Sequence, residues 1–359
     1  MNELTNILAE TTERLLADHA TKDVLNQAEQ GDWPAQLWQS LEENGLTQPL
    51  VPEDQGGIGA TWGDAFVIAF AAGRHRAPVP LVETMAAGWL LSQAKLQVPL
   101  GPLTLIDDGH QLQTSESGFS GTARAVPWGG RAGHAVCAIK DNAIKDNDGW
   151  QLAVFANDEH KAAPDFNIAR EPRDQLTVSG GTQSALATAS EFSPARLVGA
   201  LVRSAQMAGA MGHAVEMAVT HAGDREQFGR PIAKFQAIQQ MLAVAAAKTA
   251  EARMAAEIAF RAMDRALNSA EGDMSQAEFD IASAKIVCGE AVETVTDITH
   301  EVHGAIGFTY EHELHFTTRR LWSWRGEFGP ESFWAERLGR AVLQRGAKNL
   351  WPDLTARQQ

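Results

Sequence analysis

Apolar residues along the chain change their period twice. Near the N-terminus Leu4, Ile7, Leu8 and Leu15 follow helical spacing, and "AQLWQSLEENGL" repeats it, with Gly45 as a stop. The segment "VPEDQGGIGATWGDAFVIAFAAGR" reads as a Gly-rich turn running into a buried, Ala-rich helix that starts near Thr61, and a further helix covers Val82 to Gln93. From about residue 101 to 190 the period shortens. "GPLTLI", "FSGTARAVP", "HAVCAI", "WQLAVFA" and "QLTVSG", separated by Gly, Asp, Asn and Ser, read as strands of a small antiparallel sheet or barrel. From Pro194 helical spacing returns, with Leu197, Leu201, Ser204, Ala208, Met211, Val215 and Val219 on one face. A second helix runs from near Phe235 to about Leu267, with Ile238, Met241, Leu242 and Ala245 inward. Its small residues Ala243, Ala245, Ala246, Ala247 and Ala250 would let neighbouring helices approach closely. "SQAEFDIASAKIVCGEAVETVTDITHEVHG" is a third, N-capped by Ser275 with Glu278 placed for a capping box, and the stretch after Gly329 is a fourth. The pattern predicts an α+β chain: a helical domain over 1–98, a small β domain over 99–193 and a four-helix bundle over 194–359.

The 359 residues are 44% hydrophobic and 21% charged, the balance of an ordinary globular protein. A net charge of −15 argues against a general nucleic-acid or membrane-surface binder, both of which are anionic, but leaves room for a local basic patch on one phosphorylated ligand. Two cysteines, Cys137 and Cys288, lie far apart without metal-site or disulfide spacing, which suits a reducing compartment. The N-terminal stretch is charged and amphipathic rather than a signal peptide, and the longest apolar run, Ala65 to Ala72, is too short to cross a bilayer. The expectation is a cytoplasmic protein. "AIKDN" occurs twice in tandem over 138–147 and reads as a local duplication lengthening a hairpin loop.

Two stretches carry candidate chemistry. In "DREQFGRPIAKFQAIQQMLA", Arg225 and Arg230 flank Gln227, Phe228 and Gly229. A guanidinium offers paired donors to phosphate oxygens, Gly229 allows close main-chain approach, and Phe235–Gln236 offers an apolar surface beside an amide able to read an adenine edge. Taken alone, the same residues also suit a solvated turn between helices. In "EVHGAIGFTYEHELHFTTRR", a helix end meets Gly304 and Gly307, so free main-chain N–H groups can point at an anion. His303, His312 and His315 fall close together, but only His312 and His315 share a helical face and no third ligand follows, so no metal is expected. Arg319 and Arg320 are expected to pair with Glu311 or Glu313, Trp322, Trp324 and Trp334 to fill core or interface, and Trp128 to pack.

In this order, after a β segment, the two stretches resemble the acyl-CoA dehydrogenase family, and the likeness covers most of the chain. It implies FAD as cofactor. Arg225 and Gln227, with Phe228 beside them, would lie at its pyrophosphate and Phe235 and Gln236 near its adenine, on the flavin of the neighbouring subunit. The Gly-rich stretch is similar to the family's Q-x-x-G-G-x-G-F/Y segment, which places Val302, His303, Gly304 and Ala305 around the diphosphate. The implied reaction is α,β-dehydrogenation of an acyl-CoA thioester, with an electron-transfer flavoprotein as the oxidant of the flavin. The sequence also departs from the pattern. Where many members carry the base, counting forward lands on Phe328, with Glu327 one residue early as the candidate. Where other members carry it, the matching position is Gly199, followed by Ala200. The family's T-E-P-x-x-G-S-D and W-I-T/S segments have no match, and Glu301 stands where Gln is usual. These departures resemble the short, base-less subunits of α2β2 members that degrade steroids and their side chains. The resemblance therefore implies an FAD-dependent dehydrogenase of a bulky acyl-CoA, or a subunit of one, or a non-catalytic partner completing a sister's FAD site. A family member turned to another flavin reaction is a weaker reading, and homo- and hetero-oligomer both remain open.

Overall fold

The structure is a computed structural model that describes residues 2–107, 112–115, 118–140, 149–186, 192–269 and 274–355. Its first segment is helical, as the periodicity predicts: α1 (Glu3–His19), α2 (Lys22–Glu29), α3 (Ala35–Glu43), α4 (Trp62–Arg74) and α5 (Leu81–Gln93). The short α2, capped by Thr21, is an element the apolar spacing did not reveal. Thr61 starts α4 through a full capping box with Asp64, and Asp64 also accepts from Asn2 and Thr5 at the head of α1, tying the two helix starts together.

The strands form two four-stranded sheets rather than one. β1 (Leu103–Ile106), β4 (His134–Lys140), β5 (Trp150–Ala156) and β8 (Thr182–Leu186) run in the order β1-β4-β5-β8. β2 (Leu112–Ser115), β3 (Gly118–Pro127), β7 (Arg173–Gly180) and β6 (His160–Ala163) run in the order β2-β3-β7-β6. The expected all-antiparallel arrangement is corrected at one edge. β1 pairs with β4 in parallel, because the chain crosses through the second sheet between them. Phe119, Val126, Cys137, Phe155, Leu176 and Val178 fill the space between the sheets. The duplicated "AIKDN" falls mostly on residues outside those described.

The C-terminal part comprises α6 (Pro194–Asp224), α7 (Gln236–Asn268), α8 (Ser275–His303), α9 (Leu314–Gly326), α10 (Glu331–Arg345) and α11 (Ala347–Thr355). Three expectations are corrected here. Ser275 is the first helical residue of α8 and Met274 stands at its N-cap without a side-chain bond, so Glu278 is one position too late for a capping box. Of the small residues on α7, Ala245 is buried but Ala243, Ala246, Ala247 and Ala250 face outward, as does Val219 on α6. The bundle's fourth place is shared, since α9 packs on α6 while α10 packs on α8. α4 and α6 cross with main chain against main chain. A Cβ at Gly73 would overlap the carbonyl of Gln206, and one at Gly209 that of Phe70. One continuous apolar core, from Leu8 through Leu103 and Val136 to Trp334, joins the N-terminal helices, the edge of the β region and the bundle. Among the described residues no helix is long and apolar enough to cross a membrane.

Candidate functional site

After α6 ends at Asp224, the chain makes a two-strand hairpin, β9 (Glu226–Gln227) against β10 (Arg230–Pro231). Its tip, Phe228 and Gly229, has φ of 53° and 77°, the two positive values of a type I′ turn. Glycine meets that demand freely. Phe228 does not, and its ring stands 92% exposed with Phe235 edge-on beside it at 6.1 Å. The Arg230 guanidinium lies over the Phe235 ring at 4.3 Å. Arg225 caps the C-terminus of α6, where a cation suits the negative helix end, and its N–H donates to the His221 carbonyl. Among the described residues no carboxylate pairs with Arg225 or Arg230. Gln227 and Gln236 are exposed beside them.

The second stretch arrives at the same end of the bundle. Val302 packs with Ala218 and Ala222 of α6, with Ile232 and Ala233 after the hairpin, and with Ile238 and Met241 of α7. The tertiary structure thus brings the 225–236 and 302–305 segments together. It also redistributes their expected roles. Val302 and His303 are buried, with His303 Nδ1 on the Thr299 carbonyl at 2.7 Å, so their side chains face the core and only Gly304 and Ala305 reach the surface. Gly304 is the C-cap of α8, and its N–H donates to the His300 carbonyl. It also opens a short 3-10 turn, Gly304–Phe308, so its own N–H is taken while the next main-chain N–H groups stand at the start of that turn. His303 and His312 do touch, but no group of three His, Cys, Asp or Glu among the described residues is arranged to hold a metal ion.

Glu327, the candidate base, follows the last turn of α9. Its Oε1 accepts from Arg173 Nε at 2.7 Å, and its Oε2 lies 2.7 Å from Arg203 Nη2 and 3.2 Å from Arg173 Nη2. Both oxygens are therefore held by guanidinium groups that are themselves buried. Arg203 continues to Glu83 of α5 at 2.6 Å, and Arg173 to Glu171 at 3.1 Å. Glu171 in turn accepts from Arg320 Nε at 3.1 Å, from Trp324 Nε1 at 2.9 Å and from Asn167. The expected partners of the arginine pair are corrected accordingly. Arg320 pairs with Glu171 and Arg319 with Glu29 of α2, while Glu313 is taken by Arg76. Phe328, with φ of 54°, turns its ring onto Gly199, where a Cβ would overlap it. The two positions where the resemblance leads one to expect a base are thus an aryl ring and the glycine it covers. Glu327 and Phe328 also line a recess of about 410 Å³ shared with Asp107, Arg124, Phe166 and Ser323. Trp128 packs against Trp33, and Trp324 and Trp334 are core residues.

Sequence reasoning missed the buried charges. The available signal was a lone ionisable residue inside an apolar run, Glu83 in "VPLVETMAAGWLL" and Arg203 in "GALVRSAQMAGAM", since such groups are buried only when paired. Their linkage has a pH signature. Burial alone would raise the Glu171 carboxyl, but Arg173, Arg320 and Arg203 outweigh it and hold the carboxyl below its ordinary value of 4.5. A depressed acid stabilises the fold above the unfolded-state value and loses that contribution as pH falls through the folded one. The urea midpoint is expected to stay level from neutral pH down to about 5 and to fall below it. E171Q should begin lower at pH 7 and show a shallower acid slope.

Two segments of the chain match family models. Residues 2–94 match that of the acyl-CoA dehydrogenase N-terminal domain, and residues 195–343 that of the acyl-CoA dehydrogenase C-terminal domain. FadE34, an acyl-CoA dehydrogenase of Mycobacterium tuberculosis, is 30% identical over 92% of this chain, which spans 46% of the length of FadE34. IpdE2, an acyl-CoA dehydrogenase of Mycolicibacterium smegmatis, is 25% identical over 96% of this chain and 100% of its own. Among solved structures, the fold is shared with the Tcur3481–Tcur3483 steroid acyl-CoA dehydrogenase (TM-score 0.81, 24% identity, 95% of this chain and 98% of that one). It is shared equally with the ChsE4–ChsE5 complex of Mycobacterium tuberculosis (TM-score 0.81, 20% identity, 97% and 99%). Helices, β region and helical C-terminal part in this order define an α+β acyl-CoA dehydrogenase fold. The chain belongs to the acyl-CoA dehydrogenase family of oxidoreductases, for which FAD is the indicated cofactor.

Proposed function

We propose that this chain is a subunit of an FAD-dependent acyl-CoA dehydrogenase that completes the FAD site of an adjoining, catalytic sister subunit, while its own substrate half-site is closed. The observation that carries this reading is the pair Glu327 and Phe328. The carboxylate is engaged on both oxygens by Arg173 and Arg203, and the ring is seated on Gly199. To take a proton, Glu327 would have to give up its charge against two buried guanidinium groups, leaving Arg173 with Glu171 and Arg203 with Glu83, which is unfavourable. The opposite end of the chain's chemistry is open. Arg225 and Arg230, unpaired and exposed on a tight hairpin, suit the two negative charges of a pyrophosphate. Gln227, Phe235, Gln236 and the main chain at Gly304 and Ala305 border the same surface. When bound, FAD supplies the hydride acceptor; this chain's residues neutralise and position its diphosphate and adenine. In this reading the assembly is an α2β2 tetramer in the cytoplasm, its substrate a bulky acyl-CoA such as a steroid side-chain thioester, and its electron acceptor an electron-transfer flavoprotein. The steroid acyl-CoA dehydrogenase and the two-component ChsE4–ChsE5 complex among the structural neighbours support that direction.

One observation favours the alternative, a dehydrogenase with its own base: Glu327 borders the recess beside Phe328. Absorbance of the purified chain separates the two. The proposal expects a colourless protein alone, and flavin absorbance with acyl-CoA turnover only after co-expression with a sister subunit. E327Q should leave turnover of that complex within about twofold, whereas a general base normally contributes about a hundredfold or more. A yellow homo-oligomer whose acyl-CoA turnover disappears in E327Q would overturn the proposal.

A further inference from the structure

At the end of the bundle that carries the hairpin, imidazoles from three elements meet. His221 of α6 and His303 of α8 are stacked with centroids 4.6 Å apart, and His312, from the segment leading into α9, lies 4.5 Å from His303 and 6.4 Å from His221. The stack touches the origin of both exposed segments. The His221 carbonyl holds the N–H of Arg225, and His303 is the residue before Gly304. The His303 ring donates from Nδ1 to the Thr299 carbonyl, which leaves Nε2 as a buried acceptor without a partner. His312 Nδ1 accepts the N–H of Leu314. These hydrogen bonds are those of neutral rings at His303 and His312.

We propose that the His221–His303–His312 stack is the joint that fixes the Arg225 hairpin relative to the Gly304–Ala305 segment, and that protonation opens it. His303 is thus a positioning residue. A charge on the buried His303 ring would face the other two imidazoles at 4.6 and 4.5 Å, with few anions to offset it. Asp224 of α6 and Arg225 just beyond it face His221, His300 of α8 faces His303, and Glu313, His315 and Lys22 of α2 face His312. His213 and Glu216 stand across the recess of about 430 Å³ onto which His221 and His312 open, giving protons a route in. The first turn of α7 brings only glutamines. Burial first, then these neighbouring cations and imidazoles, depress all three groups, His303 to about 4. A histidine with a depressed folded value favours the closed state above the ordinary value of 6.5 and loses that preference as pH falls toward the folded one. The consequence for FAD rests on the function proposed above; the joint itself does not.

The test is hydrogen exchange on the full chain, without FAD or partner, from pH 7.5 to 4.5, corrected for the intrinsic pH dependence of exchange. Protection over 221–235 and 300–313 is expected to fall together, by about tenfold per pH unit below about 6.5, while the α4–α6 crossing keeps its protection. His303→Phe retains a stacked ring that cannot titrate and should flatten the step, and His312→Gln should weaken it independently. A step that survives unchanged in both variants, or two segments that exchange independently, would overturn the joint. A joint that behaves as expected in a chain whose partner complex shows no pH effect on FAD affinity would keep the inference and reject the FAD reading.

Discussion

Arg203→Met is expected to destabilise the chain by about 3–5 kcal/mol, read as a fall in the urea midpoint. Arg203 is 1% exposed on α6 and joins Glu83 of α5 to Glu327 beyond α9, with Gln206 as a further acceptor and the faces of Trp324 and Phe328 beside it. Methionine fills most of the stem's volume, so the loss is electrostatic: Glu83, 2% exposed, is left without its cation. Replacing both members of a buried pair removes that imbalance. The double variant Glu83→Leu with Arg203→Met should therefore recover most of the loss, leaving a coupling of about 2 kcal/mol or more in the cycle. A single-variant effect below about 1 kcal/mol would mean that water reaches this pair and that the half-site is open rather than sealed.

Arg225→Glu is expected to weaken FAD binding by the assembled complex by about ten- to a hundredfold, the range of one charge-assisted hydrogen bond lost. The side chain is exposed and unpaired, so the circular dichroism should not move, and the urea midpoint should fall only slightly, by the equivalent of roughly 0.3–1 kcal/mol for a charge at a helix C-terminus. Arg225→Lys keeps the charge but not the planar fork, and should fall between the two. Because the contact is exposed, raising salt should shrink the difference between wild type and Arg225→Glu. Undiminished FAD affinity in Arg225→Glu would remove this hairpin from the site.

Much of the candidate site was legible because it is local. The guanidiniums of Arg225 and Arg230 on either side of Gly229 depend on residues a few positions apart, and their exposure leaves nothing distant to change them, although the type I′ tip that presents them was seen only in the structure. The stretch at Gly304 was read less well. Its glycines suggested free main-chain amides, yet the Gly304 N–H is taken by α8, which it caps, and the turn Gly304–Phe308 that begins there was not foreseen. Glu327 was found by counting along the chain, but its partners come from β7 and α6, 154 and 124 residues earlier in the chain. No local pattern encodes that meeting.

The sequence by itself determined the order helices, strands, helices, the start of α4 near Thr61 and the cluster of arginines after α6, since periodicity and turn chemistry act within a few turns of chain. The tertiary structure alone decided that α4 and α6 touch at Gly73 and Gly209, that the sheet has a parallel edge, and that Phe328 covers Gly199. It also decided that Glu327 lies between the Arg173 and Arg203 guanidiniums. Each of these depends on distant segments sharing one low-dielectric interior, where a charge must find a partner and two atoms cannot share a place.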